Sequence, residues 1–308
     1  MTAPGGVAVD PGLGLPHLAE DDRLRAVLAA VPGVPRTPPA PLHGACWGPG
    51  VFELEGVTAW RDADPSTREA VLVHAGDALL REACAIERLG LAFTAKMVLL
   101  APSVEERMLY ASFAADEARH LALLSGFRRG ALRGDVPPPQ EQDADNPFVD
   151  LLAEVIARGD RATLVLVVQC VLEGWGLEHY RRLADSCAVP ALGEAFHAIL
   201  RDEARHHGSG LLIAPRLDVP DDAIDVLTRL CGMVRVGPVG VLAALEHGVG
   251  PLGRDGRLRA LRELHATEHA ARRLRGIRTL LARAGADRVV AALSARDAFT
   301  PIDPEQVA

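Results

Sequence analysis

Two copies of the pentapeptide Asp-Glu-Ala-Arg-His stand 86 residues apart, at Asp116 to His120 and at Asp202 to His206. Within each copy a glutamate and a histidine are three positions apart, Glu117 with His120 and Glu203 with His206. On a helix that spacing puts both side chains on one face, where a carboxylate and an imidazole can reach the same cation. A further glutamate precedes each pair by 30 residues, Glu87 before Glu117 and Glu173 before Glu203. Cys84 matches Cys170 and Gly90-Leu91 matches Gly176-Leu177 in the same register, with no gap. Thirty residues suit an antiparallel return: ~14 residues down one helix, a turn, and a similar distance back at ~1.5 Å per residue. Two such hairpins, related by a pseudo-twofold axis, bring four glutamates and two histidines to one point facing inward.

Charge dictates what that point must hold. Isolated buried charges cost several kcal/mol each, so four carboxylates cannot be gathered without cations. Two divalent ions neutralise them. Mixed carboxylate and imidazole donors suit iron or manganese rather than a metal that prefers thiolates. Glu87 and Glu173 each stand as a lone acid in an apolar run, ACAIERLGLAF and VVQCVLEGWGL, which a solvated surface explains poorly.

The duplicated pattern resembles the ferritin-like di-iron carboxylate proteins and is most similar to the bacterial di-iron oxygenases, over about residues 80–210. The resemblance implies an all-α, ferritin-like four-helix bundle made of up-down hairpin pairs. It implies metal ligands, and hence catalytic residues, at Glu87, Glu117, His120, Glu173, Glu203 and His206. Asp116 and Asp202 become the acceptors that orient the histidines, as metal-bound imidazoles require, and Arg119 and Arg205 pair with those aspartates. Two iron ions, with manganese as the alternative, and O2 as co-substrate follow. The implied function is a non-haem di-iron oxygenase or oxidase acting on a small organic substrate, with hydroxylation, N-oxygenation, desaturation and C–C cleavage all open. The sequence carries no flavin, nicotinamide or iron–sulfur motif, so turnover requires an external reductase or electron donor. A di-manganese catalase-like enzyme and a non-enzymatic ferritin-like iron-binding protein are the alternatives.

Other residues compete for roles. Glu178 rivals Glu173 but breaks the 30-residue match. His207 follows the second motif about 100° round the helix from His206, and reads as a neighbour more than a ligand. Tyr110, seven residues before Glu117, shares its face and is a core aromatic or a redox tyrosine. Thr94 is a candidate polar pocket group. Gly174 and Gly176 each cost a helix ~1 kcal/mol, which points to space for substrate or O2, or to a local π distortion. Trp175 and Phe196 line a pocket or fill core, and His179 and His197 are ordinary helix residues. Glu263, His265, Glu268 and His269 could chelate, but their arginine-rich surroundings read as a solvated amphipathic helix laced with ion pairs.

The elements that position these groups are helical. Helices are expected at about 65–100, 103–131, 148–187 (with a break near Gly159), 191–213, 221–247, 256–284 and 287–297, bounded by prolines that push the preceding residue out of the α region. No strand pattern stands out. A Pro/Gly-rich N-terminal arm with a short helix near Glu20 to Ala30 occupies residues 1–63. The metal-binding bundle spans 64–215, and a helical extension packed on the bundle spans 216–308. The chain has 308 residues, 49% of them hydrophobic, and a net charge of −8. That acidity argues against nucleic acid or a basic membrane-surface role. No run reaches the ~20 apolar residues of a membrane span, and the N-terminus has no secretory pattern. Five scattered cysteines without a CxxC pair fit small core residues in a reduced, cytoplasmic setting. Apolar faces at Val289 to Leu293 and Val239 to Leu245 suggest a homodimer.

Overall fold

The computed structural model describes residues 44–131 and 146–307, together with 24, 27 and 42. Leu24 and Val27 are helical and exposed; the rest of the expected short N-terminal helix lies outside the described residues. The described chain is all-α, its one β-bridge being an isolated pairing of Trp47 with Cys187.

Four long helical elements carry the duplicated pattern. The first, α1, is Pro65–Leu100 and α2 is Val104–Ala131. A shorter α3, Pro147–Arg158, follows. Next come Arg161–Leu164, the π-helical Val165–Leu172 and Glu173–Asp185, which run on without leaving helical backbone and are together called α4. Then α5 is Pro190–Ile213. Sequence sets the starts. Asp64 accepts from the Ser66 and Thr67 amides ahead of Pro65, Asn146 does the same for Phe148 and Val149 ahead of Pro147, and Asp160 takes the Thr163 amide. These are N-caps, with proline in the first turn where no amide is needed. The break at Gly159 falls where it is expected, and Lys96 closes the end of α3 by donating to the Ile156 and Ala157 carbonyls at 2.8 and 3.0 Å.

Helices α1 and α2 form one antiparallel hairpin and α4 and α5 the other, and the hairpins meet mainly through α2 and α5. Each long helix passes through two apolar cores. At one end lie Leu89, Phe93, Tyr110, Phe113, Val165 to Val168 and Val171. At the other lie Leu72, Leu80, Leu124, Phe127, Tyr180, Leu192 and Phe196. The acidic residues of the repeat fall between the two.

The C-terminal part departs from expectation in its breaks. The segment expected at 221–247 is two helices, α6 (Asp221–Val234) and α7 (Val239–Val249), parted at Gly237-Pro238, where Gly237 has φ +79°. The segment expected at 256–284 is α8 (Gly253–Glu263) and α9 (Ala266–Arg283), parted where His265 takes a left-handed φ of 49°. Then come α10, Asp287–Ala295, and a single helical turn at Pro304–Val307. The stretch Asp221–Val249 also corrects the expectation that no segment is apolar and long enough to cross a membrane, since it reaches a mean hydropathy of 1.5. Its break at Gly237-Pro238 and the burial of Leu227, Leu230, Leu242 and Leu245 show it folded against the other helices. The faces on which a homodimer was expected are in part occupied within the chain. Val289, Leu293, Leu242 and Leu245 are buried, while Val239 is exposed.

His265 is the left-handed N-cap of α9 rather than a residue within it, so it and His269 do not form a chelating pair on one helix face. Glu263 instead accepts from the Thr58 amide and hydroxyl at 2.8 and 2.6 Å, and His269 is buried against Glu53. Both anchor the segment before α1. That segment is packed into the second core through Trp47, Phe52, Leu54, Val57 and Trp60, and Trp47 donates its indole N–H to the Leu183 carbonyl at 2.8 Å. Gly76 gives Trp47 room, since a Cβ there would stand 3.3 Å from the ring. Trp47→Ala is expected to cost about 3–5 kcal/mol of stability, read as a shift in the urea midpoint at constant slope.

Candidate metal centre

The structure brings all six repeat residues together. Ligand-capable atoms of Glu87, Glu117, His120 and Glu203 lie within 4.8 Å of one another, as do those of Glu173, Glu203 and His206. Glu203 belongs to both groups, so the two candidate metal positions are contiguous. Glu87, Glu117 and His120 are buried, and His206 is fully buried. Glu178 is exposed and outside the cluster, which leaves Glu173 as the α4 carboxylate.

Aspartates reach across the hairpins. His120 on α2 places Nε2 3.1 Å from Asp202 on α5, and His206 on α5 places Nε2 3.2 Å from Asp116 on α2. With Nε2–H donated to aspartate, Nδ1 of each ring is left to face the carboxylates, as metal-binding imidazoles require. Nδ1 of His120 is 3.1 Å from Glu87 and 3.6 Å from Glu203. Nδ1 of His206 is 3.3 Å from Glu117 and 3.8 Å from Glu203. Arg119 pairs with Asp116 and, at 3.4 Å, with Asp202. Arg205 pairs with Asp202 at 2.8 Å and Asp116 at 3.0 Å. The two aspartates and two arginines form a charge-balanced lattice along the α2–α5 seam.

Electrostatics mark the cluster as built for cations. Burial, reinforced by Glu203 and Glu87, raises Glu117 well above the usual carboxylate range, and burial with the same two neighbours raises Glu173. Burial, then the repulsion of Glu87, pushes Glu203 up to about 8. Burial opposes charge on His120, but Glu87, the hydrogen bonds to Asp202 and Glu87, and Glu203 override it and push it up to about 10. Burial holds His206 down. The His120 hydrogen bond takes Asp202 down to about 2. Two buried atoms aimed into the cluster, Glu173 Oε2 and His206 Nδ1, have no hydrogen-bond partner among the described residues. Buried polar atoms left unpaired are costly, and a coordinated cation satisfies both. The donor set therefore fits a metal ion.

The remaining sequence candidates divide. Tyr110 is fully buried between Phe93 and Phe113 and donates to Gln169 Oε1 at 2.8 Å. It is a core residue that does not line the cavity beside the cluster. Thr94 bonds back to the Gly90 and Leu91 carbonyls at 2.9 and 3.1 Å, the usual use of a helical threonine hydroxyl, so it offers nothing to a pocket. Gly174 makes room for a packed neighbour: a Cβ there would stand 2.6 Å from His207 Cε1 and 2.7 Å from Leu280. His207 is buried, with Nδ1 3.1 Å from the Gln169 carbonyl, and stands apart from both groups. Gly176 does line the cavity, as do Trp175 and His179, while Phe196 is core.

Three groups were missed. Tyr180 donates to Glu87 Oε1 at 2.9 Å and is buried. It lies seven residues after Glu173, so the face argument that singled out Tyr110 applied equally to it. Gly90 packs on Glu117, where a Cβ would stand 2.7 Å from the carboxylate carbon; its match to Gly176 was visible, but not what it was for. Gln169 bridges Tyr110 to the His206 carbonyl and Ser209, a link that depends on the π-helical turns and has no local signature.

A cavity of about 290 Å³ abuts the cluster. Glu87, Glu117, Glu173 and Glu203 form one wall, and Phe93, Phe148, Leu152, Ile156, Leu172 and Trp175 form apolar walls.

Two expectations test this geometry. Gly90→Ala should displace the Glu117 carboxylate and weaken metal binding by at least the ~10-fold that loss of a supporting contact costs, measured by metal titration. Its repeat counterpart Gly176→Ala meets nothing within 4 Å; it should bind metal normally and gain up to ~1 kcal/mol from helix propensity. The second concerns pH. Glu203 holds a proton up to about 8 and His120 up to about 10, and metal must displace both, so affinity should climb as pH rises through that range. A carboxyl raised in the folded state adds stability while protonated and loses it as pH rises through the folded value. His120 works in the same sense and His206 in the opposite one. The rise in thermal midpoint on adding Fe(II) should therefore be larger at pH 8 than at pH 6, by differential scanning fluorimetry. No family model, no curated protein and no solved structure matches the chain.

Proposed function

We propose that the chain is a ferritin-like non-haem di-iron oxygenase or oxidase acting on a small organic substrate. The observation that carries this is the cavity of about 290 Å³ whose wall includes all four cluster glutamates and whose remaining surface is largely apolar. A centre that only stored iron has no use for an apolar chamber beside its carboxylates.

Glu87, Glu117 and His120 would hold one ion and Glu173, Glu203 and His206 the other, with Glu203 near enough to both groups to bridge. Iron held there would supply the electrons for O2 reduction after reduction by an external donor, and the chain's own residues set the geometry. Asp116 and Asp202 keep the Nε2 protons, so each histidine offers Nδ1. Arg119 and Arg205 neutralise those aspartates and fix their rotation. Tyr180 fixes the Glu87 carboxylate by donating to it; burial, with the adjacent carboxylates, raises its phenol well above the usual value and keeps it protonated. Phe93, Phe148, Ile156 and Leu172 exclude water from the space beside the cluster, which favours oxidation of a bound organic molecule over loss of oxidant to solvent.

Elemental analysis of protein expressed with iron and manganese both supplied tests the reading, beside the Glu117→Ala/Glu203→Ala variant. About two irons per wild-type chain, lost in the variant, is expected from a six-residue site of this type. Substrate-stimulated O2 uptake with an artificial electron donor should accompany them. Two manganese ions with rapid H2O2 disproportionation would replace the reading with a catalase-like one. Folded protein that binds no metal after anaerobic iron addition would overturn it.

A further inference from the structure

The cavity is not apolar throughout. Arg182 from α4 and Arg272 and Arg273 from α9 line it together. Arg272 is exposed while Arg182 and Arg273 are half-buried, so the guanidiniums stand where the cavity meets solvent. Arg273 lies over the indole of Trp175, 5.9 Å from the ring centroid, which holds it in place by a cation–π contact. None of the three side chains forms an ion pair or hydrogen bond with a described residue. Two acids share the lining, Glu82, which accepts from the Asn146 amide at 2.8 Å, and the exposed Glu178, and Glu53 close by is taken by His269; neither Glu82 nor Glu178 pairs with the three arginines. Burial and then the charge of Arg182 lower the Arg273 pKa, against the opposing pull of Glu82 and Glu53. Three cations crowded round one opening, two of them half-buried, are costly without an anion.

We propose that these arginines bind the carboxylate of the substrate, an apolar monocarboxylic acid whose hydrocarbon body lies along Trp175, Phe148 and Leu172 toward the glutamate cluster. Arginine suits this because its planar fork takes a carboxylate through two parallel hydrogen bonds. The cluster itself does not compete for the anion, since four glutamates already neutralise two divalent ions. An acid held at the mouth presents its far end to the metals, so oxidation falls on a carbon remote from the carboxylate. The substrate role rests on the oxygenase reading above; binding of the acid does not.

The test is isothermal titration calorimetry on the full-length protein, iron-loaded and chelator-treated, with straight-chain alkanoates and ω-phenylalkanoates of increasing length, each beside its primary amide. At least one acid is expected to bind ~10-fold or more tightly than its amide, a difference of ~1.4 kcal/mol. Arg182→Gln and Arg273→Gln should each abolish that preference and leave amide binding in place, while Arg273→Lys, which keeps the charge, retains part of it. Acids and amides that bind alike, no binding by any member, or a preference that survives in the Arg182→Gln/Arg273→Gln double variant would each overturn the proposal. The last result would put the carboxylate on the metals if the preference also vanished with chelator. Arginine-dependent acid binding in a protein that takes up no iron supports the anion site while sinking the oxygenase reading, so the two fail separately.

Discussion

Four carboxylates in one buried layer are the constraint on which this molecule depends. Glu87, Glu117, Glu173 and Glu203 come from four different helical elements, and each sits where its helix crosses from one apolar core to the other. Left bare, they must hold protons against their nature, as the rise of Glu203 to about 8 shows. Everything nearby serves to make the layer tolerable with cations in it. Histidines turn one nitrogen inward, aspartates hold the other, arginines neutralise the aspartates, and Tyr180 fastens one carboxylate. The cores above and below fix the height of the layer, because moving any of the four helices along its axis would drag an acid into a hydrocarbon environment.

Much of this was legible in the chain. The repeat placed the six cluster residues because a 30-residue return and an i,i+3 pair are geometric statements that hold wherever helices pack antiparallel. Helix starts were legible too, since Asp64-Pro65, Asn146-Pro147 and Val189-Pro190 announce them locally. Asp116 and Asp202 could be assigned to orienting histidines, but not to which: each serves the histidine of the other hairpin, a choice made by packing between α2 and α5.

Most of the rest was hidden for a physical reason. Thr94 and Tyr110 lie on plausible faces, yet side-chain direction within a face decides whether a hydroxyl meets a cavity or its own backbone, and periodicity carries no such information. The α6–α7 break was legible, since Gly237-Pro238 carries the same proline signal that bounds the other helices, and it was overlooked; the α8–α9 break was hidden because His265 adopts a positive φ, an option that a lone histidine does not advertise. Of the cavity wall beyond the cluster glutamates, only Gly176 and Trp175 were singled out as pocket residues. Arg272 and Arg273 lie some 70 residues beyond the second motif, on a helix whose arginine-rich face looked solvated, and only the tertiary fold carries them to the mouth beside Trp175.

The two glycines of the repeat show what joining the hairpins in one chain makes possible. An arrangement with a true twofold axis would treat Gly90 and Gly176 identically. Both glycines line the cavity, but here the space over Gly90 is taken by Glu117, whereas the space over Gly176 is empty. A symmetric pair of identical chains must open both sides or neither. With the halves fused, one side can close to brace a ligand while the other opens to admit a guest, so a single asymmetric chamber is available to a nearly symmetric metal cradle.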